Sequence, residues 1–498
     1  MNTEESNFQY DCRLSSSLSD NLNEILSCLG NSDDIEQSRY MEAKIPFTVL
    51  YLSGLVDEQQ VNDYIIAPLL REQHIISQDY KINSLIEKMY GVKSFPLKTC
   101  SSVLKAIING ETVVLFDGFN EAVSMAGMKS KARTVEEPST QTVIQGPKEA
   151  FVETLSINTS LIRRRIKNPN LRMKNYVIGM DTQTTITLCY IDEKVDKDVL
   201  DELHKRLSQL ETKEIYDSGM LNEHLEKFGI KNRWYSPFPV NMSTERPDTI
   251  ASSVNEGRVA LIVDGSPFVS IYPVSFWTFF QAAEDYYQRF DFSSFIRVIR
   301  IISFLISLYL PSLYISVTTF HPELIATDLL INIAAQREGV PFPAFFEAIL
   351  MELIFEILRE GGIRMPRAIG PAISIVGAIV LGDSIVRAGL VSPVIVIIVA
   401  LTAIASFVSP AYNFSITARL LRFVMMAFAA TTGLFGVLFF SSVLIIHLCS
   451  LESMSKPYFY PFAPFHIKSQ QDTIFRLPLW INESKLFNKF ISLTSNKE

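Results

Sequence analysis

The sequence predicts an α/β cytoplasmic head of two related subdomains followed by an all-α polytopic transmembrane domain. Three observations carry that expectation. No formal charge occurs between Arg300 and Glu323, Arg367 and Asp383, Arg387 and Arg419, or Arg422 and Glu452. An apolar run of roughly 18 or more residues is what a helix needs to cross about 30 Å of hydrocarbon. These runs crowd the end of the chain, behind a long portion that mixes Asp, Glu, Lys and Arg with short apolar runs, as a soluble core requires. Within that portion, VLKAIINGETVVLFDG (residues 103–118) and IASSVNEGRVALIVDG (residues 250–265) read as copies of one unit. Boundaries follow at 1–137 and 138–290 for the two subdomains, 291–455 for four or five membrane helices, and 456–498 for a tail.

Taken in order, the first thirty residues turn weakly helical at Leu18, Leu22, Ile25, Leu26 and Leu29. IPFTVLYLSGL (45–55) reads as a buried strand ending at Gly54, and 61–70 and 82–89 have helical spacing, which together suggest an α/β unit. In each copied segment, Gly110 or Gly257 ends a helix and an apolar strand runs to Asp117-Gly118 or Asp264-Gly265. Asp-Gly suits a tight hairpin because both residues tolerate φ > 0; a ligand loop at these aspartates is the alternative. Residues 129–147 are polar, with Pro and Gly, and read as a linker. A helix is expected over about 150–167, ending in Arg163-Arg164-Arg165. Basic residues in a last turn favour the helix dipole, and a contact with anionic lipid or an acidic partner is the other reading. Strands follow in 177–191, a helix in 197–210, and 234–239 leads to the second copy.

The first span is expected over about 298–320 with Pro311 inside it, then an amphipathic stretch over 322–337 and a breaker at 339–343. In the helix expected over 345–360, Glu352, Glu356 and Glu360 share one face. That face is either the wet side of an interfacial helix or an acidic, cation-attracting vestibule, since carboxylates in the bilayer need protein, water or cations around them. Residues 369–389 are short for a span and rich in small residues that allow close helix contact. Asp383 and Arg387 lie one turn apart there, and their face continues back through Val380 and Val376. In a symmetric oligomer this stripe forms a hydrophobic constriction opening on a charged ring, a known pore design; a packed interior helix with a satisfied Asp–Arg pair is the alternative. Residues 391–408 and 423–448 read as the clearest remaining spans, with Arg419 and Arg422 preceding the last, and PYFYPFAPF suits the membrane interface. Arg364, Arg367, Arg419 and Arg422 favour five crossings, whereas the basic tail favours four.

The net charge of −8 and a pI near 5.5 give no reason to expect a nucleic-acid partner. Cys12, Cys28, Cys100, Cys189 and Cys449 are scattered and odd in number, which fits free thiols in a reducing compartment. The first eighteen residues lack the basic and apolar regions of a secretory signal. Arg289, Arg297 and Arg300 precede the first span, where the positive-inside rule puts a cytoplasmic flank. No Walker A, GxGxxG, GxSxG or HExxH pattern occurs, so neither an enzyme nor a metal or cofactor site is expected.

The segments EEPSTQTVIQGPKEAFVETLSINTSLIRRRIKNPNL from Glu136, ERPDTIASSVNEGRVALIVDGSPFVSIYPVSF from Glu245, EDYYQRF from Glu284, GGIRMPRAIGPAISIVGAIVLGDSIVRAGLVSP from Gly361 and PYFYPFAP from Pro457 together resemble the GerA family of bacterial spore germinant receptors, A subunit. The resemblance covers about 40–470. It implies a spore inner-membrane protein whose cytoplasmic head has two α/β subdomains, working with a permease-like B subunit and a lipoprotein C subunit to sense nutrients and trigger germination. It also implies pentamers forming a nutrient-gated ion channel, with the pore stripe in the glycine-rich segment. A non-conducting scaffold coupling its partners to a separate channel is the competing role.

Overall fold

The computed structural model describes residues 13–71, 93–126, 137–228, 236–364, 382–466, 470 and 472–478. The chain divides into two compact units, Met1–Asn232 with Asn241–Pro273, and Arg233–Val240 with Val274–Glu498.

The first unit contains two sheets. The first subdomain runs α1 (Leu18–Cys28), β1 (Ile35–Tyr40), β2 (Phe47–Leu52), α2 (a helical segment of Glu58–Val61, Asn62–Ile66 and Ala67–Arg71), β3 (Lys93–Leu97), α3 (Cys100–Ile108), β4 (Thr112–Phe116) and β5 (Ala122–Ala126). The second runs α4 (Leu155–Arg165), β6 (Leu171–Ile178), β7 (Thr184–Ile191), α5 (Lys197–Ser208), α6 (Ser218–Phe228), β8 (Met242–Thr244), α7 (Pro247–Asn255), β9 (Val259–Val263) and β10 (Val269–Tyr272). The sheets are ordered β1-β2-β4-β5-β3 and β6-β7-β9-β10-β8, so strands counted within each subdomain pair in the same order. β2, β4 and β9 are buried at every position, which is why they read as continuous apolar runs rather than alternating ones. The expected helix over 82–89 lies outside the described residues.

The likeness of 103–118 to 250–265 extends into the hydrogen bonding. Asp117 Oδ1 accepts the Leu18 backbone N–H at 3.1 Å, and Asp264 Oδ1 accepts that of Leu155, also at 3.1 Å. Gly118 N–H donates to Ser16 O and Gly265 N–H to Glu153 O, both at 2.8 Å. The side-chain amide of Asn21 brackets the Ser15 backbone, and that of Asn158 brackets Val152 in the same way. Each aspartate therefore stabilises the start of a distant helix, satisfying a donor that the helix itself leaves open. Gly118 and Gly265 adopt φ +84° and +87°, the left-handed conformation for which glycine carries no Cβ penalty. This clamp also corrects the helix expected from 150: with Asn158 pinning Val152 in place, α4 starts at Leu155.

The part of the expected linker that is described is tied down. Glu245 accepts from Thr140 N (2.5 Å), Thr140 Oγ1 (2.7 Å), Gln141 N (3.0 Å) and Ser139 Oγ (3.2 Å). Beside it, Arg246 donates to Gln141 O and Pro147 O and pairs with Asp248. Burial alone pushes the Glu245 carboxyl up, but the hydrogen bonds from Thr140, Ser139 and Gln141 hold it below the usual 4.5. A carboxylate depressed in the folded state stabilises above its unfolded value and loses that contribution as pH falls through the folded one. Residues 139–147 are therefore expected to become protease-sensitive as pH drops below about 4.5, and Glu245→Gln to show no such acid dependence; equal acid sensitivity in both proteins would exclude Glu245 as the cause.

The second unit is helical: α8 (Phe290–Phe320), α9 (Thr327–Arg337), α10 (Ala344–Arg364), α11 (Gly382–Arg387), α12 (Pro393–Phe407), α13 (Tyr412–Thr432) and α14 (Leu434–Ser450). α8, with Pro311 inside it, packs against α10, α12, α13 and α14. Among the described residues, two helices, α8 and α13, are long and apolar enough to cross a membrane, and α12 and α14 are shorter apolar helices. The span expected over 423–448 is corrected here. Gly433 breaks it with φ +65° and ψ −141°, a region open essentially to glycine. An added Cβ there would stand 2.9 Å from Phe320 Cβ. Arg419 and Arg422 consequently lie inside α13 instead of ahead of a span. Gly433→Ala is expected to lower the thermal midpoint of the detergent-solubilised chain, at a cost of about 1–3 kcal/mol. An unchanged midpoint would mean that the break is not held by this residue.

Two flanking segments are also drawn into the fold. Within PYFYPFAPF, Tyr458 is packed inside while Phe465 stays exposed. Tyr458 is fully buried, donates its hydroxyl to Pro239 O at 2.8 Å, and accepts the Phe276 N–H at 2.8 Å. It joins a cluster in which Phe414 stacks on Phe279 and Phe304 at 5.0 and 4.7 Å. Arg297 and Arg300, from the expected cytoplasmic flank, are buried: both pair with Asp285, and Arg297 also with Asp472 at 2.9 Å. Aromatic burial and neutralised guanidinium groups thus gather both segments at the start of α8.

Candidate functional site

Charges inside an apolar helical unit need partners, because an isolated ion there costs far more than the fold can spare. α10 carries a series of carboxylates, and the structure gives each a different environment. Glu352 is fully buried and pairs with Arg422 of α13 at 2.6 Å. The same guanidinium donates to Ser307 O at 2.6 Å and Ser307 Oγ at 2.8 Å, so one side chain joins α8, α10 and α13. One turn along, Glu356 pairs with Arg359 at 2.6 Å and with Arg419 of α13 at 3.3 Å. Glu360 is exposed and pairs with Arg364 at 2.7 Å. The single acidic face expected from the spacing is therefore graded along the helix, from a buried clamp at Glu352 to an exposed pair at Glu360. Within one chain, the arginines of α13 neutralise the first two members.

The pairs Glu352–Arg422 and Glu356–Arg419 form a ladder in which rising numbers on α10 meet falling numbers on α13. This ladder was missed by reading the sequence. Its trace is the matched spacing of two acids and two bases, each set about one turn apart in an apolar context.

Glu347, the first carboxylate of α10, was likewise passed over as a site. It is fully buried, pairs with Arg337 at 3.3 Å, and accepts the Ser392 N–H at 2.9 Å.

Of the expected pore stripe, Val376 and Val380 lie outside the described residues. Asp383 and Arg387 are brought together on α11 at 2.8 Å, with side chains 55% and 78% exposed, and α11 buries none of its residues. Among the described residues, nothing covers that charged pair. Gly389 follows at φ +67° and turns the chain toward α12.

In the first unit, the cluster of three arginines also separates by environment. Arg163 is 2% exposed and makes a bidentate pair with Asp34 at 2.7 and 2.9 Å, with a further bond to Ser32 Oγ. Ser32 in turn accepts the Met173 N–H at 2.8 Å. The junction of the two subdomains is thus a buried charge-assisted network. Arg165 pairs with Glu149 and Arg164 is exposed. Cys189, also fully buried, has its thiol pushed up to about 12 chiefly by burial. Among the described residues, no group of three or more His, Cys, Asp or Glu side chains could hold a metal ion.

Comparison with known proteins gives one family and several relatives. The profile described as "GerA: Bacillus/Clostridium GerA spore germination protein" matches residues 23–486. "Spore germination protein KA" of Bacillus subtilis (strain 168) is 42% identical over 478 residues, 95% of this chain and 86% of that one. "Uncharacterized membrane protein YfkQ" of the same organism is 39% identical over 87% of this chain and 83% of its own length. The crystal structure of the N-terminal domain of the A subunit of the Bacillus megaterium spore germinant receptor GerK3 aligns with 52% of this chain and 96% of that one, at 28% identity and a TM-score of 0.42.

Proposed function

Because this chain belongs to the Bacillus/Clostridium GerA spore germination protein family, we propose that it is the A subunit of a spore germinant receptor. In this reading it sits in the spore inner membrane with its α/β unit in the cytoplasm, and it acts with a permease-like B subunit and a lipoprotein C subunit. Copies assemble, as a pentamer, into a nutrient-gated ion channel whose opening triggers germination. The observation that carries the channel reading is the Asp383–Arg387 pair, exposed on a helix that buries nothing, at the end of a small-residue segment. A charged face that a monomer leaves in the open is what a ring of subunits would gather around an axis. Val376 and Val380 supply the hydrophobic gate on the same stripe, and Asp383 and Arg387 the ring charges. Glu360, with Glu356 and Glu352 behind it, forms the acidic approach, its inner members neutralised by α13.

Val376→Ala and Val376→Ser are expected to make the pore leak, so that sporulating cells lose cations and reconstituted protein passes current without nutrient. Variants that sporulate and germinate like the parent would remove the gate from this segment. A purified parent chain that passes no current in planar bilayers would favour the non-conducting scaffold instead.

A further inference from the structure

α8 is 31 residues long, about 46 Å at 1.5 Å per residue. That matches a whole bilayer with its headgroups, about 40–45 Å, and exceeds the hydrocarbon alone, about 30 Å. The helix carries one exposed apolar face, on which Phe295, Ile302, Leu305, Leu313 and Phe320 fall at helical spacing. The opposite face, through Ser293, Arg297, Arg300 and Phe304, is buried. From Ile302 to Phe320 the rise is about 27 Å, close to the depth of the hydrocarbon. Phe295, 60% exposed, sits on the same face two turns before Ile302, about 10 Å away along the axis and so at headgroup level.

A piece of the C-terminal tail lies along this foot of the helix. The Arg476 N–H donates to Ser294 Oγ at 3.0 Å, and Ser294 Oγ donates to Arg476 O at 3.1 Å. The Arg476 guanidinium donates to Asp285 O and Gln288 O and stands over the Tyr286 ring at 5.2 Å. Arg297 holds Asp472 by its carbonyl at 2.8 Å and its carboxylate at 2.9 Å. These bonds fix residues 472–476 against the first two turns of α8. Phe475 nevertheless stays 60% exposed. Its neighbours in sequence are also apolar: Ile474, Leu477, Pro478, Leu479 and Trp480. The polar groups of the segment are spent on α8, and the aromatic ring is left outside.

We propose that the tail segment around Phe475 is a membrane-interface anchor, in which Phe475 joins Phe295 at the headgroup level of the bilayer that α8 crosses. The inference rests on the membrane reading of α8. Lipid is the occupant because Phe295 continues the face that hydrocarbon covers, at a depth that aromatic side chains favour. Charges at Lys468, Asp472, Arg476 and Glu483 interrupt the tail too often for a crossing. The segment therefore lies on the membrane beside the first span, held by Arg476 from the protein side and by Phe475 from the lipid side.

The test uses the full chain reconstituted into vesicles of phosphatidylcholine and phosphatidylglycerol, with Cys12 and Cys449 replaced by serine; Cys28, Cys100 and Cys189 are buried. A nitroxide is attached at Leu477→Cys, which leaves Phe475 in place, and its collisions with oxygen and with a water-soluble nickel chelate are measured. The same label at Ile302→Cys marks hydrocarbon, and at the exposed Met180→Cys it marks water. The oxygen-to-nickel ratio at Leu477→Cys is expected to exceed that at Met180→Cys by about threefold or more and to stay below that at Ile302→Cys. Adding Phe475→Asp is expected to return it to the aqueous value. An aqueous ratio at Leu477→Cys, with a lipid ratio at Ile302→Cys, overturns the anchor and leaves α8 in the membrane. A label shielded from both reagents overturns it in favour of a protein contact. A lipid ratio that survives Phe475→Asp overturns Phe475 as the anchoring group. An aqueous ratio at Ile302→Cys overturns the membrane reading of α8, and the anchor with it.

Discussion

Replacing Arg422 with leucine is expected to unfold the helical unit, at a cost of about 3–5 kcal/mol. Arg422 is 1% exposed and Glu352 is fully buried, so the substitution strands a carboxylate that water cannot reach. It also removes the donors to Ser307 O and Ser307 Oγ, and with them a polar tie between α8 and α13. Leucine fills much of the volume, which separates the loss of charge pairing from the opening of a cavity. The paired variant Arg422→Leu with Glu352→Leu is expected to recover most of the stability, because two matched apolar side chains leave no uncompensated ion. Thermal unfolding in detergent and the yield of protease-resistant chain measure both. If the single variant melts with the parent, the ladder contributes nothing and the helices are held by apolar packing.

The second large effect is expected at the junction of the two subdomains. Arg163→Ala leaves Asp34 buried at 7% exposure with Ser32 as its remaining side-chain partner among the described residues, again at a cost of about 3–5 kcal/mol. Because Ser32 also receives the Met173 N–H, the loss is expected to spread to β6 and loosen the second sheet beside the first. Cys189 reports on this directly. Its thiol is fully buried on β7 and pushed up to about 12, so it reacts with alkylating reagents only when the subdomain opens. Labelling of Cys189 is expected to accelerate by about a hundredfold or more in Arg163→Ala, and Arg163→Met combined with Asp34→Leu to label close to the parent rate. Parent-like labelling in Arg163→Ala would mean that the subdomains are joined by something other than this network.

These two arginines show where legibility ended. The tripeptide at Arg163 was readable as a basic last turn, and α4 does end there. That one of its members would be buried against Asp34, 129 residues earlier, has no local signature. The copied segments fared better: Gly110, Gly118, Gly257 and Gly265 all take positive φ, as their place in the pattern requires. Yet the role of Asp117 and Asp264, stabilising the starts of α1 and α4, depends on helices about a hundred residues upstream. In the helical unit, the apolar runs were plain, but their division was not. An apolar run was expected to continue through Gly433, and the contact with Phe320 is what makes a break at that glycine specific. Charges at Arg419 and Arg422 looked like a flank because a helix interior normally excludes them, and only the facing carboxylates of α10 reverse that expectation.

Hydropathy, charge and turn chemistry act over a few residues, so they were enough to separate a mixed α/β portion from an apolar helical one, to reveal the repeated unit and to mark the small-residue segment bearing Asp383 and Arg387. Which carboxylate meets which arginine, where α4 and α13 begin and end, and that Glu347 holds the start of α12 were settled in three dimensions. Such pairings join groups 45, 70 and 129 residues apart. Their energy comes from removing water around both charges at once, and no stretch of chain carries that information until the helices and sheets have closed around it.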